Sequence, residues 1–172
     1  MGLFKKSSKD KPDKSDNSNL RPDIEKIISA DNINSSLIDL YSYLLILCNY
    51  GKDIEKLNAY EKVFYLNQVF EMEVNTDGLN AFFWNSYGDY TYETVNSLKE
   101  IGAFKTAEIL EKAIFSFPDN VVSKDIDDRQ NILDENEDME NVLSELLDKF
   151  LAYEDDLLNL NFEYIKKNKA NF

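Results

Sequence analysis

Apolar residues recur along this chain at intervals of three and four, and nowhere in a sustained two-residue alternation. Tyr60, Val63, Phe64, Asn67, Phe70 and Val74 follow the 3.6-residue period, with Leu66 and Val69 beside them. So wide an apolar face predicts a central, largely buried helix. Before it, Pro22 suits the first turn of a short helix through Ile27 and Ile28. Asn34 or Ser35 can cap a helix over about 36–50, which Gly51 would end.

Asn75-Thr76-Asp77-Gly78 reads as a stop and turn, followed by the aromatic segment Phe82, Phe83, Trp84 and Tyr87. Gly88 and Asp89 mark a loop and a cap. Val95, Leu98 and Ile101 form one helix, closed by Gly102, and Ala107, Leu110, Ala113, Ile114 and Phe117 form the next, stopped by Pro118. Residues 119–137 have few apolar positions and read as loop with a short helix near Ile132. Val142, Leu143, Leu146, Leu147, Phe150 and Leu151 make an amphipathic helix. Leu157, Leu158, Asn161, Tyr164 and Ile165 continue at helical spacing to the basic end at Lys166, Lys167 and Lys169. The expected fold is all-α: one compact domain of about six to eight helices over residues 21–172. Residues 1–20, polar and lysine-rich, are expected to be a disordered tail. Leu3, Phe4, Lys5 and Lys6 offer at most a weak membrane-surface contact, and a solvated tail is the simpler reading.

Composition agrees with helices and narrows the chemistry. Five Gly and three Pro in 172 residues leave little turn chemistry for a sandwich or barrel, while eleven Phe and ten Tyr supply a core. There is no His and one Cys, so a disulfide within the chain, a Cys/His zinc site and His acid–base catalysis are excluded. Cys48, in an apolar helix, reads as a small buried hydrophobe. The most apolar run, Leu37 to Cys48, is broken by Asp39 and Ser42 and is shorter than the ~20 residues a membrane span needs. No signal or myristoylation pattern occurs at the start, so the expected location is cytoplasmic.

Charge is the most informative feature. Fourteen carboxylates lie between Asp119 and Asp156, against Lys124, Arg129 and Lys149, which leaves a net charge near −11 of the chain's −14. Such a surface repels phosphates, so direct nucleic-acid binding is not expected, and a basic protein is the fitting partner. The acids proposed to meet it are Asp125, Asp127, Asp128, Asp134, Glu135, Glu137, Asp138, Glu140, Glu145, Asp148, Glu154, Asp155 and Asp156. Carboxylates three or four residues apart on a helix lie about 5–6 Å apart, so rows of them can imitate a phosphate backbone.

Other constellations are weaker. Asp134, Asn136, Asp138 and Glu145 fall at positions 1, 3, 5 and 12 of a calcium-binding EF-hand loop. Met139 stands where that loop needs Gly, so a chance match in an acid-rich stretch is the plainer reading. Glu71, Glu73 and Asp77 gather near Trp84 and Tyr87 and could serve a carboxylate hydrolase, but nothing in their spacing sets one pKa apart, and solvated helix-end charges are the better reading. Phe82, Phe83, Trp84, Tyr87, Tyr90 and Tyr92 lack neighbouring cations for base stacking and read as core or interface. Leu110, Ala113 and Pro118 match one half of a tetratricopeptide unit, without a second copy.

The stretches Glu61-Lys62-Val63, Glu71-Met72-Glu73-Val74-Asn75, Asp77-Gly78-Leu79, Phe82-Phe83-Trp84-Asn85 and Gly88-Asp89 resemble the DNA-mimic-protein domain family of bacteria. So do Leu98-Lys99-Glu100-Ile101-Gly102-Ala103 and Ala107 to Ala113, and the resemblance spans roughly residues 35–168. The family usually has Asn-Gly-Gly where this chain has Thr76-Asp77-Gly78. The resemblance implies a largely uncharacterised, non-enzymatic family whose named member is an acidic, all-helical dimer that blocks a transcription factor. It implies no cofactor and no catalytic residue. Glu73, Asn75, Gly78, Phe82, Asn85, Gly88 and Gly102 would be its structural motif. The expected function is sequestration of a basic DNA-binding protein such as a transcription factor. The alternatives are inhibition of a basic nuclease, in the manner of an immunity protein, and a calcium-modulated interaction module.

Overall fold

The computed structural model describes residues 21–172, so the expected N-terminal tail lies outside the described residues. Those residues form eight α-helices and no strand: α1 (Ile24–Ile28), α2 (Ile33–Leu47), α3 (Ala59–Trp84), α4 (Thr91–Ile101), α5 (Phe104–Ile114), α6 (Ile126–Glu135), α7 (Glu137–Leu151) and α8 (Leu157–Lys167). The all-α expectation is met. Among the described residues, no helix is long and apolar enough to cross a membrane.

The ends of the helices follow from local chemistry. The Asn32 carboxamide accepts from Ser35 N, so α2 is capped at Asn32 and not at Asn34 or Ser35. Its other end unwinds through Asn49 and Tyr50, both at positive φ, before Gly51 at φ 84°. Asn58 and Glu61 form a reciprocal capping box that starts α3: Asn58 Oδ1 accepts from Tyr60 N and Glu61 N, and Glu61 Oε2 accepts from Asn58 N at 2.9 Å. Gly102 closes α4 in the left-handed conformation, φ 89°, and lets α5 turn back beside it.

Helix α3 is the spine. One apolar cluster packs Leu37, Leu44, Cys48 and Ile165 against its first half at Phe64 and Tyr65. Another packs Leu98, Leu110, Leu143 and Phe150 against its second half at Phe70, Phe82 and Phe83. Phe70 meets Phe82 and Phe150 edge-to-face, with centroids 5.0 and 5.7 Å apart. Cys48 is fully buried.

One expectation needs correction. The helix does not stop at Asn75–Gly78: it breaks only at Gly78, with φ 84° and ψ 178°, and resumes to Trp84. That conformation is open almost only to glycine, and it turns Leu79, Phe82 and Phe83 into the core. The short helix expected near Ile132 is present as α6, residues 126–135, and a buried side chain fixes it to α3. That side chain is Arg129, described next.

Candidate functional site

Arg129 is the largest fully buried side chain among the described residues, and it fastens the acidic segment to α3. Its Nε donates to Phe83 O at 2.8 Å, and its terminal nitrogens donate to Ser123 O at 2.7 Å and Asn85 O at 3.0 Å. Asp89 Oδ1 lies 2.7 Å from the Asn85-bound nitrogen and supplies the counter-charge. The neighbouring Gln130 donates to Trp84 O. The last carbonyls of a helix have no partner within it, and a guanidinium suits the negative end of the helix dipole. Helix α6 therefore caps α3 from outside. Sequence reading counted Arg129 only as a charge. The usable signal was its spacing from Ile126 and Leu133, which puts it on the helix's apolar side.

With α6 held, most of the acids are placed on ordered helices. Asp127, Asp128, Asp134 and Glu135 are exposed on α6, and Glu137, Asp138, Glu140, Glu145 and Asp148 are exposed on α7. The buried face of α7 is Met139, Leu143, Leu146 and Phe150. At 100° per residue, Glu137 and Asp148 lie almost opposite that face, with Glu140 to one side and Asp138 and Glu145 to the other. Five carboxylates over the ~16 Å from 137 to 148 give one charge per roughly 3–4 Å, close to a single DNA strand at ~3.4 Å and about half the duplex density. The cations of the block scarcely dilute this face. Arg129 is buried, and Lys124 pairs with Glu93 at 3.1 Å. Lys149 stands in the last turn of α7.

Three of the acids serve the fold as well. Asp125 caps α6, accepting from Asp127 N and Asp128 N. Asp156 caps α8, accepting from Asn159 N at 3.1 Å and Asn159 Nδ2 at 2.6 Å, which holds its carboxyl below the usual carboxylate range. Asp155 is half-buried and accepts from Thr106 N at 2.7 Å in the first turn of α5. Asp155 and Glu154 also share a cleft of ≈170 Å³ with Lys105, Lys112 and Lys149. Lysines therefore stand beside Glu154 and Asp155.

The calcium loop is not formed. Asn136 caps α7 by accepting from Met139 N at 3.0 Å, and Asp138 and Glu145 stand two helical turns apart on α7. Continuous helix keeps their carboxylates from converging with Asp134, and no group of three metal-ligating side chains occurs among the described residues.

The motif residues sit at the α3 break and its surroundings. Asn85 Nδ2 donates to Glu73 Oε2 at 2.7 Å, which ties the helix before Gly78 to the helix after it. A Cβ on Gly88 would meet Arg129 Nε at 2.7 Å and Phe83 O at 2.9 Å, so this position has no room for a side chain. Asn75 donates to the Tyr153 hydroxyl, which donates to Glu71 Oε1 at 3.2 Å and so holds the α7–α8 elbow on α3. Tyr153 too escaped sequence reading. Glu71 and Glu73 thus face different partners and form no acid–base pair, and Asp77 is exposed beside Gly78 and Glu140.

A family model described as DMP19-like protein matches residues 55–168, from just before α3 to the end of α8. The chain belongs to the DMP19-like protein family. The match starts later than the residue 35 read from sequence and leaves out α1 and α2. It includes the break at Gly78, the Arg129 socket and both acid-bearing helices. The family takes its description from a DNA-mimic protein. No curated protein and no solved structure matches the chain.

Proposed function

We propose that this DMP19-like chain is a non-enzymatic binding protein that imitates the charge of DNA and occupies the basic surface of a DNA-binding protein, such as a transcription factor. The observation that carries this reading is the exposed carboxylate face of α6 and α7, Asp127 to Asp148, with α6 fixed to α3 by the buried Arg129 and α7 fixed by its apolar face. Fixed charges at strand-like density steer a cationic partner and compete with phosphates without chemistry or cofactor. A basic nuclease offers the same kind of groove and is the alternative partner. The unit is residues 21–172, located in the cytoplasm. We read it as a homodimer, for which the exposed Tyr92 and Phe115 beside the α4–α5 groove of ≈330 Å³ supply apolar surface.

The test is binding to a basic DNA-binding protein at low and high salt. The quadruple variant Asp134→Asn, Glu137→Gln, Asp138→Asn, Glu140→Gln should lose that binding, and unchanged binding would sink the reading.

A further inference from the structure

The stretch Glu71–Asn75, which lies within the family match, has two sides. Val74 is buried in the core and Glu73 is taken up by Asn85. Glu71, Met72 and Asn75 turn the other way and line a cleft of ≈350 Å³, completed by Asn34 of α2, Gln68 of α3 and Leu158 of α8.

The chemistry of this cleft is one-sided. The Glu71 carboxylate is half-buried, and its partners are neutral: the Tyr153 hydroxyl at 3.2 Å and Gln68 Nε2 at 3.5 Å. Burial pushes its pKa up from the usual carboxylate value; the Tyr153 hydrogen bond works against this and the charge of Asp156 adds to it. A partly desolvated carboxylate beside a second carboxylate is stabilised by a cation at hydrogen-bond distance. Asn34, Gln68 and Asn75 add carboxamide oxygens around it, which can accept the remaining N–H groups of an ammonium or guanidinium. Met72 and Leu158 offer apolar contact to the alkyl stem of such a side chain.

We propose that this cleft receives an arginine or lysine side chain of the basic partner, with Glu71 as its counter-ion. The cleft would give the interaction a specific anchor that a diffuse acidic face lacks. The source of the cation rests on the function proposed above, whereas the affinity of the cleft for a cation does not.

The probe is butylguanidinium, titrated into the full-length ¹⁵N-labelled chain and followed by NMR. Saturable shifts are expected at the side-chain amides of Asn34, Gln68 and Asn75. Glu71→Gln should weaken the binding at least about tenfold. Asn34→Trp, which fills the cleft from an exposed position and leaves Glu71 in place, should do the same, while Asp148→Asn on the outer face of α7 should not. Absent shifts, equal affinity in Glu71→Gln and Asn34→Trp, or shifts confined to α6 and α7 would overturn the proposal. Probe binding that persists when the quadruple acidic variant no longer binds protein would count against the charge-mimic reading alone.

Discussion

The α-carbon of Gly88 packs so closely on the guanidinium of Arg129 that a methyl group there would lie 2.7 Å from Nε. Gly88 lies in the turn between α3 and α4 and Arg129 in α6, and their contact lets one buried cation close the end of α3. Gly88→Ala should therefore destabilise the chain by about 1–3 kcal/mol through overpacking. Arg129→Met, which leaves three carbonyls and Asp89 without their donor, should cost about 3–5 kcal/mol. Urea denaturation measures both, and the two losses should not add in the double variant. An unaltered midpoint for Gly88→Ala would contradict the packing described.

The break in α3 makes a separate demand. Gly78, at φ 84° and ψ 178°, occupies a region that L side chains avoid, although a Cβ there would meet only the end of Leu147 at 3.4 Å. Gly78→Ala should cost about 1–3 kcal/mol from backbone strain, not from crowding. The urea midpoint of the variant checks it. Glu73→Gln, which keeps an oxygen for Asn85, should cost less.

Alkali should unfold the chain through its tyrosines. Burial raises the pKa of Tyr41, Tyr65, Tyr87, Tyr90, Tyr153 and Tyr164, the last to about 12. A phenol whose folded pKa exceeds its unfolded value of ~10 stabilises fully below pH ~10 and loses that contribution as pH rises further. Absorbance at 295 nm should show that part of the ten tyrosines ionises only when far-UV circular dichroism is lost. Ionisation of all ten near pH 10 with the helices intact would contradict this.

Glu71 and Asp156 should respond to acid in opposite senses. Glu71 is raised above 4.5, so its stabilisation is full below that pH and lost as pH rises through the raised value. Asp156 is lowered below 3.8, so its stabilisation is present above that pH and lost as pH falls through the lowered value. Thermal melts from pH 3 to 7 should show Glu71→Gln gaining relative to the parent as pH rises. Asp156→Asn should fall further behind over the same range.

Most of the fold was legible because it rests on local rules. Period 3.6 marked α3, α4, α5, α7 and α8, and Gly102 sits where a terminator belongs. What stayed hidden depends on distant contacts. A short helix near Ile132 was legible, but not that a single cation anchors it by reaching the carbonyls of α3. Asn75–Gly78 carries turn chemistry, yet the turn is a single residue because Phe82 and Phe83 draw the chain straight back into the core. The acids were visible as a run of charge. Which of them face solvent and which cap a helix was not, because a cap such as Asp155 on Thr106 joins residues 49 apart.

The most direct measurement is competition. A basic DNA-binding protein carrying a labelled duplex should release the DNA as this chain is added, with an affinity that falls steeply between low and physiological salt. The quadruple variant at Asp134, Glu137, Asp138 and Glu140 should require at least about tenfold more protein for the same release. Release by the variant at the same concentration and with the same salt dependence as the parent would show that the carboxylate face of α6 and α7 is not what the partner reads.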